Sequence, residues 1–446
     1  MLRREEIIEA VSPFNLWGRK QNLGIVRKNY LSGIERFLFT KDVVVAVVGP
    51  RRSGKTFLAK QFLNLKAGEN TVESTLYVLF EEPKFEPFLK TGLLEEIYRA
   101  YRAYVNQNGT SYIVLDEVQN LAQWEKWVRM ALERKEDVKI IITGSSSRLL
   151  SREFATVLTG RTLTFRVFPL SFNEFLSFRK FEIEKEHQLF GKKEEIRKFL
   201  TEYITYGGFP QVVLQKDNTV KEELLKEIFE GIIYRDVVFR NKIRDGNQVK
   251  ITAEMAISHF ASLMSVTRLR NTLVNILLKK ISPNLVVKIM ACLEEAFLLF
   301  QLPVFSYKIK ERNRFPKKVY AIDPGLIKAI TVSFGKNIGR VYENVTAIAL
   351  LRKYGIENLF YWKDANGREV DFVVKEGIKV KQLVQVSYEI EDKKTREREF
   401  RSLVEASKEL NCANLLLITD DLESEEIREG KKIICLPLWR WLLDNP

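Results

Sequence analysis

The chain has 446 residues, with 72 Lys and Arg against 58 Asp and Glu for a net charge of +14, and its length points to two or three domains. Its 46% hydrophobic and 29% charged residues exclude disorder as the default; with no apolar run of the ~18–20 residues a membrane span needs and an acidic start (MLRREEIIEA), the expected location is the cytoplasm, away from any membrane. Three dispersed cysteines and two histidines argue against a disulfide framework, a zinc ribbon or a Ser-His-Asp triad, and the abundance of Lys, Arg and Glu fits a thermophilic protein.

In chain order, Asp42–Val48, Thr75–Phe80, Tyr112–Leu115, Val138–Ile142 and Thr162–Phe168 read as buried strands. Leu93–Val105 and Trp124–Lys135 between them read as helices, the alternation of a parallel sheet in an α/β domain. From Ser171 to Arg240 the pattern is helical, broken at Tyr206-Gly207-Gly208-Phe209-Pro210, and it stays mainly helical to about Leu302. Tyr307–Tyr320 reads as two short strands flanking a basic turn. The remainder reads as a helix (Tyr342–Lys353), strands Leu359–Trp362, Glu369–Val374 and Leu383–Tyr388, a helix (Arg396–Leu410) and a strand (Leu415–Thr419).

Gly49-Pro50-Arg51-Arg52-Ser53-Gly54-Lys55-Thr56 satisfies G-x-x-x-x-G-K-[ST] between an apolar strand and a helix that opens with Phe57. Backbone N–H groups of such a loop wrap phosphate oxygens, and the helix turns its positive end on them. Lys55 is expected at the β- and γ-phosphates and the Thr56 hydroxyl on Mg²⁺. A second strand ends in Asp116-Glu117, placing Asp116 in the Mg²⁺ shell and Glu117 where it polarises an attacking water, which suits ATP hydrolysis. At the end of Ile140–Ser145, Ser145 is preferred to Thr143 as the hydroxyl that reports nucleotide state; the alternative is a helix cap at Ser146 or Ser147.

These residues resemble the AAA+ superfamily: Gly49–Thr56 as Walker A, Asp116-Glu117 as Walker B, Thr143–Ser145 as sensor 1, and Leu158-Thr159-Gly160-Arg161 before the fifth strand. More narrowly, Phe168–Phe172, Gly207–Pro210 and Tyr234–Val237 resemble archaeal and bacterial AAA+ ATPases that carry a C-terminal restriction-endonuclease-like domain of unknown function. The resemblance implies a P-loop sheet of order 5-1-4-3-2 and a helical lid. It also implies ATP bound between the subunits of a homo-oligomer, usually a hexamer, with Arg161 as a finger on the neighbour's γ-phosphate. The expected domains are an ATP-binding domain (1–170), a lid (171–245), a winged-helix-like region (246–325) and a nuclease-like domain (326–446).

In the third of these, Asn284–Phe297 is the candidate recognition helix, although its apolar content suits a core better than a groove. Lys308, Lys310, Arg312, Arg314, Lys317 and Lys318 form the candidate DNA-contacting patch. In the fourth, Glu343 lies on the first helix and Asp371 where the nuclease resemblance puts the metal-binding aspartate, but Gln385-Val386-Ser387 stands where E-x-K belongs, so a degenerate, non-cleaving domain is expected. The functional expectation is an ATP-hydrolysing AAA+ ring motor or switch, with ATP and Mg²⁺ as cofactors and DNA as substrate. The alternatives are an ATP-regulated nuclease and a protein-remodelling factor.

Overall fold

A computed structural model describes residues 2–40, 42–90, 92–134, 137–146, 158, 160–183, 185–331, 337–390 and 392–445. The chain divides into two compact units, Met1–Val167 and Phe168–Pro446.

In the first unit, β1 (Val44–Val48), β2 (Thr75–Leu79), β3 (Ser111–Asp116), β4 (Val138–Gly144) and β5 (Thr162–Arg166) form one parallel sheet of order β2-β3-β4-β1-β5. This is the expected 5-1-4-3-2 order. Valine- and isoleucine-rich runs suit β1, β3 and β4 because helices cover them on both faces. The register sets Val48 beside Gly144 and Leu79 beside Asp116, which gathers the loops after β1, β3 and β4 at one edge. The Lys28–Leu38 helix, absent from the sequence reading, lies so close to β5 that a Cβ on Gly33 would come within 2.6 Å of the Phe165 ring. The free edge of β2 is closed by side chains: Asn15 exchanges bonds of 2.8 and 2.6 Å with the Tyr77 backbone, and Trp17 donates to the Thr75 carbonyl at 2.9 Å.

The second unit begins with helices Phe172–Phe178, Lys193–Tyr206 and Asn218–Gly231, the last continuing as a π-helix over Ile232–Phe239. Next come helix Gly246–Ser258, β6 (Ser262–Met264), helices Val266–Leu277 and Pro283–Glu295, β7 (Leu299–Leu302) and β8 (Lys317–Ala321). The three strands form an antiparallel sheet of order β6-β8-β7. The stretch read as two strands around a basic turn is different: Ile309–Arg314 is a helix, and β8 pairs with β7 instead. Ser306 starts that helix by accepting from the Lys308 amide at 3.0 Å and donating to Glu311 at 2.6 Å, and Pro316 follows its end.

The terminal part is a six-stranded mixed sheet of order β13-β14-β12-β11-β10-β9. Its strands are β9 (Leu359–Lys363), β10 (Glu369–Glu376), β11 (Lys379–Val386), β12 (Leu415–Thr419), β13 (Ser424–Arg428) and β14 (Lys431–Pro437). Helices Ile338–Tyr354 and Lys393–Leu410 complete the expected helix-strand-strand-strand-helix-strand order. One continuous core runs from Phe168 to Leu442.

Candidate functional site

The loop after β1 turns back through Gly49, where a Cβ would stand 2.0 Å from the Val167 carbonyl oxygen, so only glycine fits. Gly54, at φ +96°, caps the Lys55–Glu69 helix. Lys55 is buried and donates to the carbonyls of Gly49 (3.0 Å) and Pro50 (2.9 Å), which holds its ammonium within the loop. The Ser53 hydroxyl is fully buried without a hydrogen-bond partner, an orphan donor that a phosphate oxygen would satisfy. Pro50 is buried and Arg51 half-buried, whereas Arg52 and Phe57 are exposed. Sequence reasoning missed Arg27, which is buried, donates to the Ser53 carbonyl at 3.0 Å and stacks over Tyr30 at 4.1 Å.

Asp116, at the end of β3, collects three hydroxyl donors. Thr56 Oγ1 donates to its Oδ2 at 2.8 Å, Tyr77 donates to the same oxygen, and Thr143 donates to Oδ1. Burial, reinforced by the Asp116 charge, drives the Tyr77 phenol far above its ordinary value, so it stays a donor. Glu117 follows at φ +54° and accepts from Gln119. Burial raises its carboxyl above the usual range, opposed by Lys55 and reinforced by Asp116. The Glu117 amide donates to Thr143 Oγ1 at 3.2 Å, so Thr143 bridges both acids. Ser145, the sequence choice, is buried one residue beyond β4; Thr143 is the hydroxyl brought against the acid pair. Ser147 and Thr159 lie outside the described residues.

Arg161 precedes β5 at the opposite edge of the sheet: its carbonyl accepts from Val44, at the start of β1, at 2.8 Å. A five-residue strand separates it from the phosphate loop by ~16 Å. Its guanidinium lies 3.7 Å from Glu133. It is therefore placed away from the phosphate loop of its own chain.

In the second unit the candidate basic patch divides. Lys308, Lys310 and Arg314 are exposed and Lys317 is half-buried. Arg312 folds back, donating to the Ser306 carbonyl and lying 5.0 Å over the Phe360 ring. Lys318 is buried at 3% exposure among carboxylates and is no surface contact, which corrects its place in the patch. Strand alternation explains it: of adjacent lysines on β8, one faces out and the other in.

Residues 41–176 match the family model of the AAA domain, and 197–336 and 338–439 match two domains of unknown function, DUF8612 and DUF4143. An uncharacterized protein of Methanocaldococcus jannaschii is 36% identical over 408 residues, covering 90% of this chain and 88% of its own. One of Haemophilus influenzae is 29% identical over 368 residues, covering 82% and 87%. The Orc1 protein of Aeropyrum pernix, solved in complex with DNA, is 12% identical with a TM-score of 0.33, over 71% of this chain and 96% of that one, a likeness too loose to carry an argument. Strand order, phosphate loop and sequence matches agree: the chain belongs to the AAA+ P-loop family.

Proposed function

We propose that this protein is a Mg²⁺-dependent ATPase that works as an oligomeric switch or motor on DNA. The observation that carries the reading is the 2.8 Å bond from Thr56 to Asp116, which joins the end of the phosphate loop to the acids after β3. Backbone N–H groups of residues 51–56 and the Lys55 ammonium bind the phosphates, with Ser53 as a further donor. Thr56 and Asp116 would hold Mg²⁺, which supplies charge neutralisation on the β- and γ-phosphates. Glu117, its basicity raised by burial, takes the proton of a water that attacks the γ-phosphorus as the bond to the bridging oxygen breaks and ADP leaves. Arg161, remote from its own loop, serves a neighbouring subunit's γ-phosphate, which requires an oligomer.

Support for DNA comes from the second unit. Its helix, strand, helix, helix, strand, short helix, strand succession with sheet order β6-β8-β7 supports a winged-helix reading, with the Ile309–Arg314 helix in the connection that would be the wing. The Pro283–Glu295 helix exposes Asn284, Val287, Lys288 and Ala291, and the β7–β8 connection exposes Lys308, Lys310 and Arg314. The test is ATPase rate with and without double-stranded, branched and single-stranded DNA at two salt concentrations. DNA stimulation that falls with salt, and is lost in the Lys308→Ala, Lys310→Ala, Arg314→Ala triple variant, is expected. Glu117→Gln should bind ATP yet turn over ~10²–10⁴-fold more slowly; equal turnover would sink the ATPase assignment. Hydrolysis indifferent to DNA would move the substrate to a protein client.

A further inference from the structure

Beneath β8 lies a cluster outside the ATPase site. The Lys318 ammonium contacts Glu369 Oε1 at 2.6 Å, Asp371 Oδ1 at 2.8 Å and Glu343 Oε1 at 3.0 Å. An ammonium has three N–H donors, and here three carboxylates answer them. The second Asp371 oxygen accepts from the Val386 amide at 3.0 Å, and the second Glu369 oxygen faces Lys363 at 3.1 Å. The Tyr320 hydroxyl donates to the same Glu343 oxygen at 2.7 Å. Gln385, where the second nuclease acid belongs, accepts from the Asp371 amide at 3.0 Å and donates to Glu399 at 2.6 Å. Asp371 is the position to which the nuclease resemblance assigns a divalent metal, and Glu343 and Glu369 are the carboxylates gathered beside it. They do not fit one: a lysine from another sheet already satisfies them. Among the described residues, no group of three or more His, Cys, Asp or Glu side chains is placed to hold a metal ion.

We propose that Lys318 is the resident cation of this cluster: it stands in the metal's place, closes the terminal sheet to metal-dependent phosphodiester cleavage, and pins β8 to β10 and the Ile338–Tyr354 helix. Burial works against the ammonium, but Asp371 and Glu343 outweigh it and hold Lys318 charged well above its ordinary value. The pin also fixes the base of the β7–β8 connection, because Lys318 is the second residue of β8, directly after Lys317. The proposal is independent of the ATPase assignment, since no residue of the phosphate site takes part.

The test uses the full-length, nucleotide-free protein with Mn²⁺ as the probe, read by thermal unfolding and by electron paramagnetic resonance of bound Mn²⁺. Wild type should melt at the same temperature in chelator and in Mn²⁺, and Asp371→Asn should leave its bound Mn²⁺ unchanged. Lys318→Met strands three carboxylates and should melt on the order of 10 °C lower in chelator. Part of that loss should return with Mn²⁺, and adding Asp371→Asn to Lys318→Met should abolish the return. Mn²⁺ bound by wild type and lost in Asp371→Asn would make the cluster a metal centre and overturn the proposal. So would a Lys318→Met protein that melts like wild type, or one that regains nothing with Mn²⁺. If Lys318→Met does not fold, the Lys318→Met, Glu343→Gln double variant, which drops one negative charge with the positive one, should fold; failure to recover stability there also overturns it.

Discussion

Asp116 receives three hydroxyl donors, while its neighbour Glu117 receives one side-chain amide and a buried setting. Burial raises the Glu117 carboxyl above its ordinary range, which suits it to take a proton from water. Thr143 links the two, since its hydroxyl donates to one acid and accepts the amide of the other. Thr143→Val should therefore lower ATPase turnover about tenfold, in line with the loss of positioning hydrogen bonds near 1.5 kcal/mol. Ser145→Ala should stay within about twofold, because Ser145 lies one residue beyond β4 whereas Thr143 already bridges the two acids. Steady-state kinetics of both variants checks this, and the reverse ranking would favour Ser145. The phosphate loop was legible because its spacing is local: Gly49, Gly54 and Lys55 are fixed by turn geometry within eight residues. The contact of Thr143 with both acids was not, because it depends on where β4 ends against β3. Tyr77 and Arg27 were illegible for the same reason, their partners lying 39 and 26 residues away.

Two glycines with nearly equal φ show how little a lone residue type says about the cost of replacing it. Gly207 (φ +75°) ends the Lys193–Tyr206 helix, and a Cβ there would lie 1.8 Å from Asp323 Oδ1. Gly430 (φ +73°) turns the β13–β14 hairpin with nothing within 4 Å. Gly430→Ala should cost ~1 kcal/mol for left-handed backbone alone. Gly207→Ala should cost roughly 2–5 kcal/mol, since collision adds to the same strain and displaces the carboxylate that accepts from the Gly208 amide at 2.7 Å. Urea midpoints of the two variants measure the difference, and equal midpoints would deny the contact. The break at Tyr206–Pro210 was visible in sequence as glycine and proline; its partner Asp323, more than a hundred residues on, was not. Among the strands, long apolar runs such as Ile140–Ile142 gave themselves away. Short β6 and the β13–β14 hairpin, with half-exposed alternating patterns, did not.

Over the whole molecule, net charge and length set expectations for partners and domain number, but they carry no information on where buried charges lie. Asp323 is one of these: enclosed by the second unit, it accepts from the Gly208 and Gly325 amides, at 2.7 and 2.9 Å. Burial pushes its carboxyl from 3.8 up to about 7, against the pull of those amides and of Arg352. Glu343 is raised in the same direction, by burial first and by Asp371 second. The native state thus holds protons that the unfolded chain has released between roughly pH 4 and 7, so stability falls as pH rises through that window and levels off above it. For Asp323 the drop is on the order of 4 kcal/mol. The melting temperature should accordingly decline from pH 5 to pH 7.5. Asp323→Asn removes one of the two titrations; it loses an acceptor and lowers stability throughout, but it should flatten the decline. A variant whose melting temperature falls as steeply with pH as wild type would show that Asp323 is ionised in the folded protein even at pH 5.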